Sequence, residues 1–105
     1  MLKIYPFIIE TLRLIAPLVR EISRRDPDLA RQLRRAASSI ALNTAEAVGS
    51  VGGNERVRFR TALGSTQEVR ACLDVAEVFA HVETIDEVLR DRLDRIAATL
   101  YRLTS

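Results

Sequence analysis

Residues 30–49 constrain the fold of this chain more than any other segment. Their sequence, ARQLRRAASSIALNTAEAVG, predicts a helix on which alanine and serine occupy three sides. Because small side chains allow neighbouring helix axes to approach closely, such a helix can pack against partners on several sides at once. The segment therefore predicts a helical bundle, and it favours a bundle that also packs against copies of itself.

The composition favours one all-helical domain. The chain has 105 residues, of which 48% are hydrophobic and 29% are charged, and this balance excludes general disorder. The small numbers of glycine, proline and aromatic residues favour helices over a β-sandwich or a barrel. We therefore predict a single all-α domain over residues 1–105. The net charge of +2 permits binding of nucleic acid without requiring it.

Apolar residues recur at helical spacing in four segments, which are residues 6–24, 27–48 and 54–82 and a fourth segment from residue 84. Asp26 and Pro27 supply a cap and a first-turn proline for the second helix. Thr84 and Glu87 form a predicted capping box for the fourth helix. The glycine-rich residues 49–53 are interpreted as a turn rather than a phosphate-binding loop, because no strand precedes them. Short turns between four helices predict an antiparallel up-and-down four-helix bundle.

Lines of residues at helical spacing predict which faces form the core. On the second helix the lines are Leu29, Leu33, Ala36, Ile40 and Asn43, and Ala30, Ala37, Ala41, Thr44 and Val48. On the third helix they are Phe59, Ala62, Thr66, Val69, Leu73, Ala76 and Ala80, and Cys72, Val75, Phe79 and Val82. Because the second of these lines covers only the C-terminal half, we expect that half to be the more deeply buried one.

The chain lacks the residues of the common catalytic and metal sites of helical proteins. His81 is the only histidine, and Cys72 is the only cysteine. No Glu-x-x-His motif of a di-iron bundle is present. We expect a surface or capping role for His81 and a buried thiol for Cys72. The prediction is a protein that is not an enzyme and that uses no cofactor or metal.

The location of the protein is also an expectation. The apolar start of the chain is interrupted by Lys3, Glu10 and Arg13, so it is interpreted as a core helix rather than a membrane segment or an export signal. A single cysteine allows no internal disulfide and fits a reducing compartment. We therefore expect a cytoplasmic protein without a membrane partner.

A polar cluster is predicted between the second and third helices. Its members are Asn43, Glu46, Gln67 and Glu68, and the first two share one helix face because they are three residues apart. The favoured interpretation is a set of hydrogen bonds that fixes helix register or a contact between subunits. An alternative is an enzyme whose composite site forms between subunits from Glu46, Glu68 and an arginine.

Arginines form two predicted clusters, one at each end of the bundle. The end of the first helix and the start of the second carry Arg20, Arg24, Arg25, Arg31, Arg34 and Arg35, and the start of the third helix carries Arg56, Arg58 and Arg60. We select as candidate nucleic-acid-binding residues Arg31, Arg34, Arg35, Arg56 and Arg60. Repetition of these clusters in an oligomer would create a phosphate-binding surface. The alternative is that the arginines are solvated or pair with acids across a subunit contact.

Two further features predict self-association. Leu42 lies on the line Arg31, Arg35, Ser38, Leu42 and Ala45, outside the core lines, and exposed apolar area indicates a partner. Glycine destabilises a helix interior by roughly 1 kcal/mol relative to alanine, so Gly64 indicates a close approach of another helix. We predict that Gly64→Leu disrupts folding or assembly. The candidate residues of the oligomer contact are Leu42, Asn43, Glu46, Gly64 and Glu68.

A family resemblance rests on the second and third helices. Residues 32–40, QLRRAASSI, and residues 43–46, NTAE, are followed after the glycine-rich turn by residues 62–65, ALGS, and by Glu68. In order and spacing they resemble the four-helix-bundle proteins first noticed as products of intervening sequences in bacterial 23S ribosomal RNA genes. The chain departs from the family where proline is usual near Ala41, glycine near Ala47 and an aromatic residue near Arg58.

The resemblance implies an all-helical subunit that assembles into a ring-shaped homopentamer, in a family without an established enzymatic activity. A related branch, the accessory proteins of diversity-generating retroelements, looks similar and implies binding of RNA or DNA through a basic surface. We therefore expect a homo-oligomeric scaffold with nucleic acid as its ligand. The alternative is a protein–protein interaction or regulatory module that binds no nucleic acid.

Overall fold

A computed structural model describes residues 3–50 and 53–105 of the chain. The described residues form four α-helices and no strand, in the order α1 (Ile4–Ser23), α2 (Pro27–Gly49), α3 (Asn54–Val78) and α4 (Glu87–Leu103). Of the predicted glycine-rich turn, residues 51 and 52 lie outside the described residues. No helix in the described part of the chain is long and apolar enough to cross a membrane.

The start of α2 is built as the sequence predicts. The Oδ1 atom of Asp26 accepts a hydrogen bond of 3.0 Å from the amide of Leu29. Pro27 occupies the first turn, where its missing amide hydrogen leaves no helical hydrogen bond unmade. The cap and the proline therefore fix the helix start, and the three residues between α1 and α2 reverse the direction of the chain.

Adjacent helices run antiparallel. Ser65 of α3 contacts Ser39 of α2, and Arg58, earlier in α3, contacts Asn43, later in α2. The same reversal relates α3 to α4, through Arg70 with Asp94 and Arg90 with Asp74, and α1 to α4, whose contact closes the bundle. The molecule measures 44 × 24 × 19 Å. The predicted all-α fold with four helices is confirmed.

Large and small side chains are distributed unevenly in the core. Helices α1 and α4 contribute mainly isoleucine and leucine, including the fully buried Ile8, Ile15, Leu93 and Leu100. Helices α2 and α3 add many small residues, namely Ala30, Ala36, Ala37, Ala41, Thr44, Ala47, Ala62, Thr66 and Ala76. Small side chains at the α2–α3 contact allow these two helices to pack closely along most of their length.

Five predicted core residues of α2 and α3 are not buried, and they are Asn43, Val48, Val75, Phe79 and Ala80. Phe79, which follows the last residue of α3, is 66% exposed. Asn43 is only half-buried because its amide joins a polar network between α2 and α3, and Val48 is half exposed in the last turn of α2. Val75 is also exposed, because its position on α3 lies toward the outer surface. The expectation that the C-terminal half of α3 is the more deeply buried half is therefore wrong at this position.

Helix α3 ends at Val78, four residues before the predicted end. Ala80 adopts a left-handed backbone with φ of 57°. The amide of His81 donates to the carbonyl of Ala76 at 2.9 Å, and the amide of Ala80 donates to Glu77 at 3.0 Å. This pair of bonds is a Schellman ending with alanine where glycine is usual. The prediction placed the end too late because the apolar spacing continues beyond Val78 and no glycine marks the end of the helix. Ala80, which the prediction assigned to the core, is exposed.

The predicted capping box of α4 is also wrong. Asp86, rather than Thr84, caps the helix, since its Oδ1 accepts a bond of 2.8 Å from the amide of Val88. The preceding amide, of Ile85, donates to a carboxylate oxygen of Glu77 at 2.8 Å. The connection between α3 and α4 is thereby tied to α3, and it moves the start of α4 beyond Thr84.

Candidate functional site

A groove on the outer surface of α2 and α3 collects three arginines. It has a volume of about 480 Å³ and is lined by Arg34, Arg35, Ser38, Ser39, Leu42, Asn43 and Glu46 of α2 and by Arg58 of α3. We call these residues the arginine groove. Three guanidinium groups and one carboxylate give the groove a positive balance, and guanidinium groups are well suited to phosphate or carboxylate groups.

A polar network forms one wall of the arginine groove and joins α2 to α3. Arg58 donates from Nη1 to Oδ1 of Asn43 at 3.2 Å and lies 3.4 Å from a carboxylate oxygen of Glu46. Asn43 donates to the carbonyl and to the hydroxyl of Ser39, each at 3.0 Å. Ser65 donates to the same hydroxyl at 2.7 Å. The network holds one guanidinium group of the groove in place.

Arg34 and Arg35 are the free cations of the groove. Both side chains are exposed, and neither forms an ion pair within residues 3–50 and 53–105. Arg31 pairs with Asp28 one turn earlier, and Arg56 and Arg60 are exposed but do not line the groove. The structure therefore brings together two of the five candidate nucleic-acid-binding residues.

The prediction of two separate arginine clusters is wrong for Arg58. Arg35 is the ninth residue of the 23 in α2, so it lies well inside the helix rather than at its end. Because α3 runs antiparallel to α2, Arg58 lies opposite Asn43 and reaches the same groove. Arg58 lines the groove, but it is not among the candidate residues selected from the sequence. The signal was its position about two helical turns before Ser65 on the same face of α3, since Ser65 faces Ser39.

The predicted polar cluster forms in part. Asn43 and Glu46 meet Arg58, whereas Glu68 is exposed and Gln67 bonds instead to Arg70 of its own helix at 2.9 Å. The reason is their direction on α3, since Ser65 and Arg58 face α2 while Glu68 points outward. The composite site of Glu46, Glu68 and an arginine is therefore not assembled within one chain.

An exposed heptad line runs along the outer surface of α3. We call it the α3 seam, and its members are Val57, Thr61, Gly64, Glu68, Ala71, Val75 and Val78, all of them exposed. The spacing alternates between four and three residues, which is typical of a helix face that packs against another helix. On the neighbouring helix α2, Leu42 is 63% exposed and Ala45 is exposed as well.

Gly64 does not contact another helix within the chain. Among the residues that the structure describes, no atom lies within 4 Å of the position that a Cβ atom would occupy, apart from the helix itself. The prediction of a close approach is therefore wrong for the single chain, because Gly64 lies on the outward seam rather than on the face toward α2. A contact of Gly64 with another subunit stays a prediction.

Cys72 is buried as the sequence predicts, whereas the side chain of His81 is only 15% exposed and does not lie at the surface. Burial raises the pKa of the Cys72 thiol, and the negative charge of Glu68 raises it further. A thiol with a raised pKa is a poor nucleophile. The Nε2 atom of His81 lies 3.6 Å from the carboxylate of Asp26, so this side chain joins the end of α3 to the cap of α2.

The comparisons with known proteins can now be set beside this geometry. The family model of the 23S rRNA-intervening sequence proteins matches residues 2–102. The chain belongs to this family. The predicted resemblance is thereby confirmed over nearly the whole chain, including the α2 and α3 segments on which it rested.

A solved structure has the same fold as this 23S rRNA-intervening sequence protein. It is a protein of unknown function from the S23 ribosomal protein family of Bacteroides thetaiotaomicron. The TM-score is 0.68 at 15% sequence identity, and the match covers 96% of this chain and 91% of the other. At this identity the likeness supports the fold alone. No curated protein matches the sequence.

Proposed function

We propose that this family member is a non-enzymatic subunit of a homo-oligomeric scaffold that binds nucleic acid at the arginine groove. The observation that carries the proposal is the convergence of Arg34, Arg35 and Arg58 on one open groove. Two of these guanidinium groups have no carboxylate partner in the described part of the chain. Phosphate groups of RNA or DNA would supply the missing anions.

The assembly that we propose uses two different exposed faces. The α3 seam and the surface around Leu42 are different surfaces. A contact between them therefore joins the α3 seam of one subunit to the Leu42 surface of the next. Such heterologous contacts close into a ring when the rotation between subunits allows it. A count of five subunits is what the family resemblance implies.

Each ring would repeat the arginine groove once per subunit. Weak phosphate contacts at separate grooves would then act together on one strand of nucleic acid, because the second contact is made at a high local concentration. This repetition offers a route to useful affinity from a chain whose net charge is only +2. Action in the cytoplasm and kinship with accessory proteins of diversity-generating retroelements stay predictions.

A second candidate function is a protein-interaction module without nucleic acid. The observation that favours it is the exposed Leu42 inside the arginine groove, beside Asn43 and Glu46. An apolar side chain flanked by hydrogen-bonding groups is typical of a contact between proteins. In that case the next subunit or another protein would cover the groove.

Light scattering after size exclusion tests the assembly. We expect a mass of five times the 11.8 kDa chain, and a smaller mass for Leu42→Glu and for Val75→Glu, which place a charge on either face. Tyr101→Glu is the matched control, since Tyr101 on α4 is as exposed as Leu42 and lies on neither face. A monomeric parent protein at micromolar concentration would contradict the proposed ring.

Fluorescence anisotropy with single-stranded and double-stranded RNA and DNA tests the ligand. We expect affinity that falls steeply with salt and that drops about tenfold or more for Arg34→Ala with Arg35→Ala. The control is Arg20→Ala with Arg24→Ala, which removes the same charge from exposed positions on and beside α1 that do not line the groove. Equal losses in the two double variants would indicate a general charge effect. No binding at low salt would favour the protein-interaction module.

A further inference from the structure

A second cleft lies on the opposite side of the bundle, between α1 and the connection from α3 to α4. It has a volume of about 390 Å³. It is lined by Leu14, Pro17, Leu18, Glu21, Val82, Glu83, Thr84, Ile85, Asp86, Val88 and Leu89. We call it the acidic cleft. None of its lining residues belongs to the arginine groove or to the α3 seam, so a failure of the proposed ring or of nucleic-acid binding leaves it unaffected.

The floor of the acidic cleft is apolar and partly open to solvent. Val82, Ile85 and Leu89 are buried beneath it, while Leu14 and Val88 on its sides are 43% and 60% exposed. Side chains of this size are usually covered when they surround a concave surface. The cleft therefore has room for one or two apolar side chains of a binding partner.

The rim of the cleft carries only negative charge. Glu21, Glu83 and Asp86 line it, and no lysine or arginine does. Glu21 and Glu83 form no ion pair among residues 3–50 and 53–105, and Asp86 uses one oxygen to cap α4. At least two carboxylates are thus available to a cationic partner at the edge of an apolar surface.

We propose that the acidic cleft binds a basic amphipathic segment of another protein. Apolar side chains of the segment would enter the cleft between Leu14 and Val88, and its lysines or arginines would pair with Glu21 and Glu83. Charge complementarity selects this occupant, because the same carboxylates repel nucleic acid and anionic membrane surfaces. The molecule then presents two faces of opposite charge, one for phosphate groups and one for a basic partner.

Binding of a labelled amphipathic helical peptide of leucine and lysine, measured by anisotropy, tests the proposal. We expect Glu21→Gln with Glu83→Gln to weaken binding about fivefold, and Leu14→Ser to weaken it about tenfold. The controls are Glu55→Gln with Asp91→Asn, and Val48→Ser, which make matched changes at exposed positions outside the cleft, the arginine groove and the α3 seam. These control variants should bind as the parent protein does.

Chemical-shift mapping on the parent protein identifies the bound surface. We expect the largest amide shifts at Leu14, Leu18, Val82 and Leu89. Shifts centred elsewhere, equal losses in the cleft and control variants, or equal binding of a peptide with glutamate in place of lysine would each overturn the proposal. Self-association that Leu14→Ser abolishes would overturn it too, because the occupant would then be a second copy of this chain.

Discussion

The contact between α2 and α3 and the contacts of α4 with its two neighbours are built from different side chains. Where α2 meets α3, alanine, serine and threonine allow close packing, and neutral hydrogen bonds such as Ser65 to Ser39 set the register. Where α4 meets α1 and α3, leucine and isoleucine fill the core. Four ion pairs of 2.7–3.1 Å surround that core, and they are Arg70–Asp94, Arg90–Asp74, Arg90–Glu77 and Arg92–Glu10.

The outer surfaces of the two regions also differ in which side chains they expose. Arg90, Arg92 and Asp94 of α4 form ion pairs within the chain. The α3 seam and Leu42 instead leave apolar side chains in solvent, and Arg34 and Arg35 near Leu42 form no ion pair within the described residues. The comparison indicates that α2 and α3 pack against each other through small residues. Their large exposed apolar side chains therefore remain available for contacts outside the chain.

The largest effect that we predict tests the core beneath α4. Leu93 is fully buried, and Leu93→Ala removes three carbon atoms from a space that neighbouring helices cannot fully close. We expect the free energy of unfolding in urea to fall by about 3–4 kcal/mol. Tyr101→Ala, at an exposed position of the same helix, is the control, and we expect it to lose less than about 1 kcal/mol. Similar losses in both variants would contradict a large-residue core on this side.

A smaller effect tests the polar attachment of α4 to α1. Arg92 donates from Nε to the hydroxyl of Thr11 at 2.9 Å and from Nη2 to the carbonyl of Phe7 at 3.0 Å, and it also pairs with Glu10. Its guanidinium carbon lies 3.9 Å from the centre of the Phe7 ring. Arg92→Met keeps the aliphatic stem and removes these bonds, so we expect a loss of about 2 kcal/mol.

The control for Arg92 is Arg95, which lies over the same ring at the longer distance of 4.9 Å and is exposed. We expect Arg95→Met to change the free energy of unfolding by about 0.5 kcal/mol or less. If urea unfolding gives the same loss for both arginines, then the hydrogen bonds of Arg92 contribute little. The comparison between the two sides of the bundle would then rest on apolar packing alone.

The difference between the two regions also explains which parts of the fold could be predicted. The starts of α2 and α3 were predicted at the observed residues, because Asp26 and Pro27 mark one and a glycine-rich turn precedes the other. The end of α3 could not be predicted from the sequence, because the residue in the left-handed position is Ala80 and not glycine. The start of α4 was missed because Asp86 and Thr84 are both capping residues, and only the bond from the Ile85 amide to the Glu77 carboxylate decides between them.

The candidate site was predicted less well, for a physical reason. Periodicity identifies the face of one helix, but a groove depends on how two helices are placed side by side. The sequence therefore selected Arg34 and Arg35 from α2 and could not relate them to Arg58 of α3. The apolar spacing on α3 also predicted Val75 as a core residue, because an apolar line that faces outward has the same period as one that faces inward.

Glu77 gives the α4 side a dependence on pH. The hydrogen bond from the Ile85 amide, together with the bond and the charge of Arg90, holds the pKa of Glu77 below its ordinary value of 4.5. A lowered pKa in the folded state means that the ionised carboxylate stabilises the fold above the ordinary pKa. This stability is lost as the pH falls from there through the lowered pKa.

We therefore expect the urea midpoint of the parent protein to fall between neutral pH and acidic pH more steeply than that of Glu77→Gln. Glu55→Gln, at an exposed position at the start of α3, should retain the slope of the parent protein. The same slope in Glu77→Gln and in the parent protein would contradict the role of this carboxylate in holding the start of α4.

The smallest effect, and the only stabilising one, tests the outward face of α3. Gly64 lies inside a helix with open space at its Cβ position, so Gly64→Ala should raise the free energy of unfolding of the single chain by about 0.5–1 kcal/mol. Gly64→Leu should also fold, contrary to one half of the sequence prediction.

In the assembled protein both variants would meet the neighbouring subunit, and the larger side chain should lower the mass measured by light scattering. Unfolding followed at two protein concentrations separates the stability of the single chain from that of the subunit contact, because only the subunit contact depends on concentration. If Gly64→Leu unfolds the chain at every concentration, Gly64 has a contact within the fold; if it leaves the mass unchanged, the α3 seam is not the subunit contact.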